Sequence, residues 1–249
     1  METSDYRESE LERARTADLL ELSGCEGESA IDVGTRDGYF ACLLAERFPR
    51  VTALDLEPPV LADARIACVA GDVRRMAFSD NAFDLVVCAE VLEHIPPPHL
   101  EMACRELARV TRRHLLIGVP YKQDTRVGCT TCLHCGSRNP PWGHVNRFDE
   151  TRLRRLFAGL EVERRSFVGR SGASTNFVAS YLMNLAGNPY GTYGQDEPCV
   201  RCGGTLVEAP VRRTYQYVLT RIAFWLAAIT RPFKRSHPNW IHLLFRKPY

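Results

Sequence analysis

Between Ser29 and Val119 the chain repeats one pattern: a short run of apolar residues without polar alternation, then a polar or helical stretch. Ser29–Gly34, Arg50–Leu56, Ile66–Ala70, Phe83–Cys88 and His114–Val119 are such runs, and Tyr39–Phe48 and Leu100–Thr111 carry apolar residues at helical spacing. Strands apolar on both sides must be covered on both faces, which requires a parallel sheet with helices above and below. The rhythm breaks at 121–148, resumes with a helix at Glu150–Phe157 and a strand at Leu160–Val168, and breaks again until Trp240–Arg246. The expected architecture is one open α/β sheet with two insertions. A charged helix over 7–22 precedes it, closed by Gly24.

The first strand runs directly into Asp32-Val33-Gly34-Thr35-Arg36-Asp37-Gly38 and a helix. Glycines at such a turn let backbone approach a ligand, and the amides of the helix start favour negative groups. The spacing is G-x-x-x-G rather than the G-x-G-x-x-G of a dinucleotide site, which counts against a nicotinamide enzyme. Strand two ends in Asp55-Leu56, strand three in Gly71-Asp72-Val73, and strand four leads into Ala89-Glu90-Val91-Leu92-Glu93-His94. Ligands of open α/β sheets sit at the carboxyl ends of the strands, so an acid or glycine at four successive ends marks a binding edge.

With IDVGTRDGYF, TALDLEP and AGDVRRMAFSDNAFDLVVCAEVLEHIP in this order, the chain resembles the class I S-adenosylmethionine-dependent methyltransferases. The resemblance covers about residues 28–168 and the final strand. It implies a Rossmann-like, doubly wound sheet of seven strands with the last antiparallel. It also implies that Asp32, Gly34, Thr35, Arg36 and Gly38 hold the methionine end of the cofactor. Asp55 and Leu56 would hold the ribose, Asp72 and Val73 the adenine, with Glu90 beside the cofactor. Arg36 departs from the pattern, since many members have glycine there.

Ten cysteines in a chain whose acidic start does not read as a secretory leader argue for thiols or metal ligands rather than disulfides. Cys132-Leu133-His134-Cys135-Gly136 and Cys199-Val200-Arg201-Cys202-Gly203 share the form C-x-x-C-G, one in each insertion. Two such knuckles supply four thiolates for a structural zinc site, which leaves no open coordination position for catalysis. The expectation is a small zinc-knuckle subdomain joining both insertions over the cofactor edge, with Cys129 a spare thiol that could replace a ligand. Two separate redox thiol pairs are the alternative. The expected organisation is an N-terminal helix in 1–27, a core in 28–168 interrupted by the cysteine insertion 121–148, a second insertion 169–238 with a basic amphipathic helix, and a final core strand in 239–249.

Asn139-Pro140-Pro141-Trp142 has the form with which nucleic-acid amino-methyltransferases grip a base, but that segment follows strand four there and strand five here. It reads as a stiffened loop. His94 and His144 are the candidates for a proton acceptor, the role an oxygen acceptor requires. Residues 201–249 carry nine basic and one acidic residue. Within them Val218, Ile222, Trp225 and Ile229 form one helical stripe, flanked by Arg212, Arg213, Arg231, Lys234 and Arg235. Such a stripe suits core packing or a membrane interface, and its apolar run is shorter than the roughly 20 residues of a span.

The chain is therefore expected to be a cytoplasmic methyltransferase, peripheral to the inner face of the membrane if the stripe meets lipid. Its cofactors would be S-adenosylmethionine and structural zinc, and its acceptor a small molecule, sugar or lipid-linked glycan. A zinc-containing RNA methyltransferase is the first alternative, disfavoured because the basic residues gather around an apolar helix. A non-catalytic binding protein that retains the fold is the second.

Overall fold

The structure is a computed structural model and describes residues 9–171, 173–230 and 236–248. Arg231, Lys234 and Arg235 of the expected basic flank, and residues 7 and 8 of the first helix, lie outside the described residues. The chain divides into two compact units. The first comprises 1–121, 148–169 and 238–249, and the second 122–147 and 170–237.

In the first unit, helix α1 (Glu10–Leu22) starts at Ser9, whose hydroxyl accepts the Glu12 amide at 3.2 Å. There follow β1 (Ser29–Val33), α2 (Tyr39–Ala45), β2 (Arg50–Asp55), β3 (Ile66–Ala70), β4 (Phe83–Ala89), α3 (Pro97–Val110) and β5 (Thr111–Pro120). In the second unit lie the short pair β6 (Thr130–Thr131) and β7 (Arg138–Asn139). The first unit resumes with α4 (Glu150–Leu156) and β8 (Glu161–Val168). Helices α5 (Phe177–Leu185) and α6 (Thr214–Thr230) belong to the second unit, and β9 (Trp240–Arg246) closes the first.

Seven strands form one sheet in the order β3-β2-β1-β4-β5-β9-β8. The first five pair in parallel, and β9, last in the chain, runs antiparallel to both β5 and β8. The architecture is thus the α/β sheet that the apolar runs predict, with the antiparallel last strand that the resemblance implies. Because side chains alternate along a strand, the sheet feeds two cores. Ile31, Val33, Val86, Cys88, Leu115 and Ile117 pack on one face with Leu107 of α3 and Leu153 of α4. Ala30, Leu85, Val87 and Leu116 pack on the other with Leu19 and Leu22 of α1 and Leu44 of α2.

Two connections depart from a regular strand–helix alternation. Residues 56–65 and 71–82 join β2 to β3 and β3 to β4 with no helix. Pro58 and Pro59 remove amide donors from the first. The second is held from α3 instead. Arg109 donates to the carbonyls of Phe78 (2.7 Å) and Met76 (3.0 Å), and Glu106 accepts the Met76 amide at 2.9 Å. At the amino edge of the sheet the buried Asp84 accepts the amides of Glu28 (2.8 Å) and Ser29 (3.2 Å) and the guanidinium of Arg112 (2.7 Å). That edge is closed by hydrogen bonds, in contrast to the glycine turn at the carboxyl edge.

Phe245 is wholly buried in β9 with its ring 5.2 Å from that of Phe157. Phe245→Ala is expected to lower unfolding free energy by about 3–5 kcal/mol. Urea unfolding followed by circular dichroism measures this, and a loss under about 1 kcal/mol would contradict the packing assigned to β9.

Candidate functional site

The carboxyl ends of β1, β2 and β4 build one cluster in the first unit. Gly34 leaves β1 in the left-handed region (φ 78°), and a Cβ there would sit 2.2 Å from Cγ2 of Val91. Its amide and that of Thr35 donate to the Leu54 carbonyl at 2.8 and 3.1 Å, tying the turn to β2. Gly38 starts α2 at φ 79°, where a Cβ would strike Leu61 at 2.5 Å. Neither glycine tolerates a side chain, so the turn keeps its backbone bare.

Arg36 also lies in the left-handed region, at φ 54°. That is the conformation glycine adopts without cost and an L-residue adopts at about 1–2 kcal/mol. The position departs from glycine in sequence but keeps its backbone geometry. The Arg36 amide donates to Oδ2 of Asp55 at 2.8 Å, which fixes the β2 carboxylate against the β1 turn.

Asp32 is buried and accepts the Thr35 hydroxyl at 2.7 Å. Burial pushes its carboxyl up to about 6; the Thr35 bond opposes this, and the nearby Asp55 charge adds to it. Asp72 is engaged differently. Arg74 donates its amide (2.8 Å) and Nε (3.0 Å) to Oδ1, and its Nε also reaches Oδ2 at 2.8 Å. The Arg74 bond holds the Asp72 carboxyl below its usual range. Val73 is buried in the core, whereas Leu56 is exposed.

After β4, Glu90 also adopts a left-handed conformation (φ 58°), and its amide donates to the Gly118 carbonyl at 3.0 Å. Its carboxylate receives Nε1 of Trp240 from β9 at 3.1 Å and pairs with Arg15 of α1 at 3.6 Å. Glu93 is fully buried, and neither carboxylate oxygen has a hydrogen-bond partner among the described residues. Burial first, and then the Glu90 charge, push its carboxyl well above the ordinary value. Sequence reasoning assigned nothing to Arg15, Glu93 or Trp240. The Glu90–Trp240 bond spans 150 residues, beyond any local pattern.

A second such tie anchors α1. Asp18 accepts Nδ1 of the buried His242 at 2.5 Å and the Ser166 hydroxyl at 2.5 Å. Burial would raise the Asp18 carboxyl, but these two bonds outweigh it and hold it down. Burial lowers His242, and the Asp18 bond opposes that shift.

The two candidate histidines fall in different units. His94, in the first, is pushed by burial down to about 4 and is neutral at physiological pH. His144, in the second, is buried with Nδ1 2.6 Å from Oε1 of Gln123. With that amide oxygen as acceptor, Nδ1 carries the proton and Nε2 the lone pair.

In the second unit the four cysteines of both knuckles meet. Sγ atoms of Cys132 and Cys202 are 3.7 Å apart, as are those of Cys135 and Cys199, and all four lie within 4.8 Å of one another. A disulfide would need about 2.05 Å. Tetrahedral zinc at about 2.3 Å from each sulfur sets them about 3.8 Å apart, close to the two 3.7 Å separations. The knuckles are the same turn made twice. Gly136 donates to the Cys132 carbonyl and Gly203 to the Cys199 carbonyl, both at 2.9 Å and both with positive φ.

Cys129 is outside this cluster: its thiol donates to the Thr125 carbonyl and accepts Nε of Arg138, each at 3.1 Å. Asn139 of the Asn-Pro-Pro-Trp string is buried and faces the cysteines' scaffold. Its Oδ1 accepts the Val200 amide at 2.9 Å and its Nδ2 donates to the Ser137 carbonyl at 3.1 Å. The side chain that would grip a base instead fastens one knuckle to the other.

Residues 31–116 match the family model described as "Methyltransferase domain". Over these residues the chain carries a methyltransferase domain. Two curated relatives agree. A ubiquinone biosynthesis O-methyltransferase of Pseudomonas paraeruginosa is 34% identical over 100 residues, covering 36% of this chain and 43% of the relative. A malonyl-[acyl-carrier protein] O-methyltransferase of Serratia marcescens is 38% identical over 91 residues, covering 34% of this chain and 35% of the relative. The chain thus spans less than half the length of either.

Among solved structures, the N-methyltransferase NodS of Bradyrhizobium japonicum, bound to S-adenosylhomocysteine, superposes with TM-score 0.58 at 18% identity. It covers 98% of this chain and 91% of its own. The 1,6-didemethyltoxoflavin-N1-methyltransferase of Burkholderia thailandensis gives 0.55 at 15%, covering 98% and 81%. At such identities these two establish the fold of the methyltransferase domain.

The raised Asp32 fixes a pH dependence for that domain. Its folded value of about 6 exceeds the ordinary value of 3.8, so its contribution to stability is full below pH 3.8 and lost as pH rises through 6. Asp32→Asn should therefore raise stability at pH 7 by about 1–3 kcal/mol while leaving it almost unchanged at about pH 3. Urea titrations at the two pH values test the difference; equal effects at both would show that the buried charge is not its origin.

Proposed function

We propose that the chain transfers a methyl group from S-adenosylmethionine to an oxygen of a small-molecule acceptor, a class that includes sugars and lipid-linked glycans. The observation that carries this reading is the joining of the glycine turn to the acids at the ends of β1 and β2. The bare Gly34 turn, the buried Asp32 and the Arg36–Asp55 bond meet at the carboxyl edge of the sheet. Oxygen is favoured because both curated relatives bear O-methyltransferase names.

Bound S-adenosylmethionine supplies an electrophilic methyl group on a sulfonium. The chain's own residues hold and orient it. Asp32, Gly34, Thr35, Arg36 and Gly38 receive the methionine end. A ligand ammonium beside Asp32 would offset the cost of ionising that buried acid. Asp55 and Leu56 take the ribose, where one carboxylate can accept both hydroxyls. Asp72 and Val73 take the adenine, with Arg74 releasing part of its hold on Asp72. Glu90 stands beside the cofactor, fixed from behind by Trp240 and Arg15.

Methyl transfer of this kind is an in-line displacement governed by positioning, and a hydroxyl acceptor must also lose a proton. Of the two histidines, His144 has the tautomer for that task. His94, held near 4, is a weak base and is assigned to acceptor contact. Cys132, Cys135, Cys199 and Cys202 hold one structural zinc ion, a reading supported by sulfur spacings that match a tetrahedral site.

Isothermal titration of the purified chain with S-adenosylmethionine should show one site, weakened about 10–100-fold in Asp55→Asn through loss of charged hydrogen bonds. Labelled methyl should then enter a small-molecule or glycan fraction of cell extract. Label in RNA would overturn the acceptor class, and absence of donor binding would overturn the enzyme reading. His144→Ala should lower transfer about 100-fold or more at unchanged donor affinity. Elemental analysis should find one zinc per chain, lost in Cys132→Ser/Cys199→Ser.

A further inference from the structure

We infer that helices α5 and α6 form a hairpin that docks on an anionic lipid bilayer. The two helices run antiparallel and are tied at both ends. Nδ2 of Asn176, which caps α5, donates to the Leu226 carbonyl at 3.0 Å, and Nε2 of Gln216 donates to the Leu185 carbonyl at 3.0 Å. Between these ties the buried residues are small: Ala179 and Ser180 on α5, Thr220 and Ala223 on α6.

The large apolar side chains point outward. On α5, Phe177 is 74% exposed, and Val178, Tyr181 and Leu185 are exposed with it. On α6 the whole stripe of Val218, Ile222, Trp225 and Ile229 is exposed, Trp225 at 64%, so it does not serve as core. Tyr217 and Phe224 add a second exposed row, so more than one face of α6 is apolar.

This packing is the inverse of a water-soluble hairpin. Small residues inside with large apolar residues outside is the arrangement of helices whose solvent is hydrocarbon. A protein groove receives one stripe of a helix, whereas a bilayer interface can receive the adjoining apolar rows of a paired hairpin. Across both helices the only charged residue is Arg221, and a patch of this size is unusual on a soluble monomer.

The charge selects the kind of bilayer. No Asp or Glu occurs from residue 209 to the end of the chain, while Arg212 and Arg213 directly precede α6 and Arg221 lies in its middle. Arg212 lies 4.0 Å from the Tyr217 ring centre, so cation and aromatic ring sit together as they do at a headgroup layer. Helix α6, 17 residues and about 26 Å long, is shorter than the roughly 30 Å hydrocarbon core. No helix of the described residues is long and apolar enough to cross a membrane. The hairpin is therefore assigned to the interface.

The full-length, metal-loaded protein is sedimented with phosphatidylglycerol or phosphatidylcholine vesicles, and donor binding is titrated in the same preparations. Phosphatidylglycerol should retain it about tenfold or more better, less so at high salt, with tryptophan fluorescence quenched by brominated acyl chains. Ile222→Glu/Trp225→Glu should lower retention at least about tenfold with donor affinity and metal content unchanged. Arg212→Ala/Arg213→Ala should lower it about tenfold on the anionic vesicles alone. No retention on either vesicle, or equal retention by the glutamate variant, would overturn the inference. So would a dimer that dissociates in that variant, because the hairpin would then be covered by a second copy. Donor binding is read separately, so failure here leaves the methyltransferase reading intact.

Discussion

Strand β1 lies between β2 and β4, and the rest of the core depends on that placement. The chain proceeds outward from β1 through β2 to β3, then returns to β4 on the opposite side. Connections that diverge in this way leave an opening at the carboxyl ends of β1 and β4, where ligands of such sheets bind. The register sets Asp32 of β1 beside Val87 of β4 and Ala53 of β2, so the buried acid sits inside the sheet just before the glycine turn. A carboxylate in that position carries a desolvation cost. The structure bears it at an edge where a cationic ligand would relieve it.

β1 and β4 were legible because parallel strands buried on both faces leave a coarse mark in sequence, and the edge strand β3, with only Ile66 buried, was legible from its apolar run alone. The antiparallel β9 followed from the resemblance. Local pattern did not show how the helix-free connections are held, since that depends on Arg109 and Glu106 reaching across from α3. Nor did it show what fastens α1. Asp18 and His242 are 224 residues apart, and neither flanking sequence announces the other.

The glycine turn and strand-end acids could be read because each combines a residue type with a position at the end of a strand. Glu93 stands in the same string as Glu90, and nothing in sequence separates a solvated acid from a buried one. The α6 stripe shows the converse limit. Helical spacing predicts an apolar face but not what covers it, and here the small residues are inside. Asn139 belonged to a suggestive string, yet its role is set by Val200, 61 residues away. Even the two C-x-x-C-G knuckles, plain as repeats, revealed their sulfur spacing only when folded.

The places where the chain leaves the sheet unit and comes back lie side by side. Tyr121 donates its amide to the Asn239 carbonyl at 2.7 Å and bridges to Phe148, while Asn239 donates to the Val168 carbonyl at 2.9 Å. Short loops joining 121 to 148 and 169 to 238 would preserve every strand and helix of the sheet unit. The cysteine-bearing unit is in this sense a detachable accessory. Two small edits at one spot would excise or exchange it, while the strands that carry the glycine turn stay continuous.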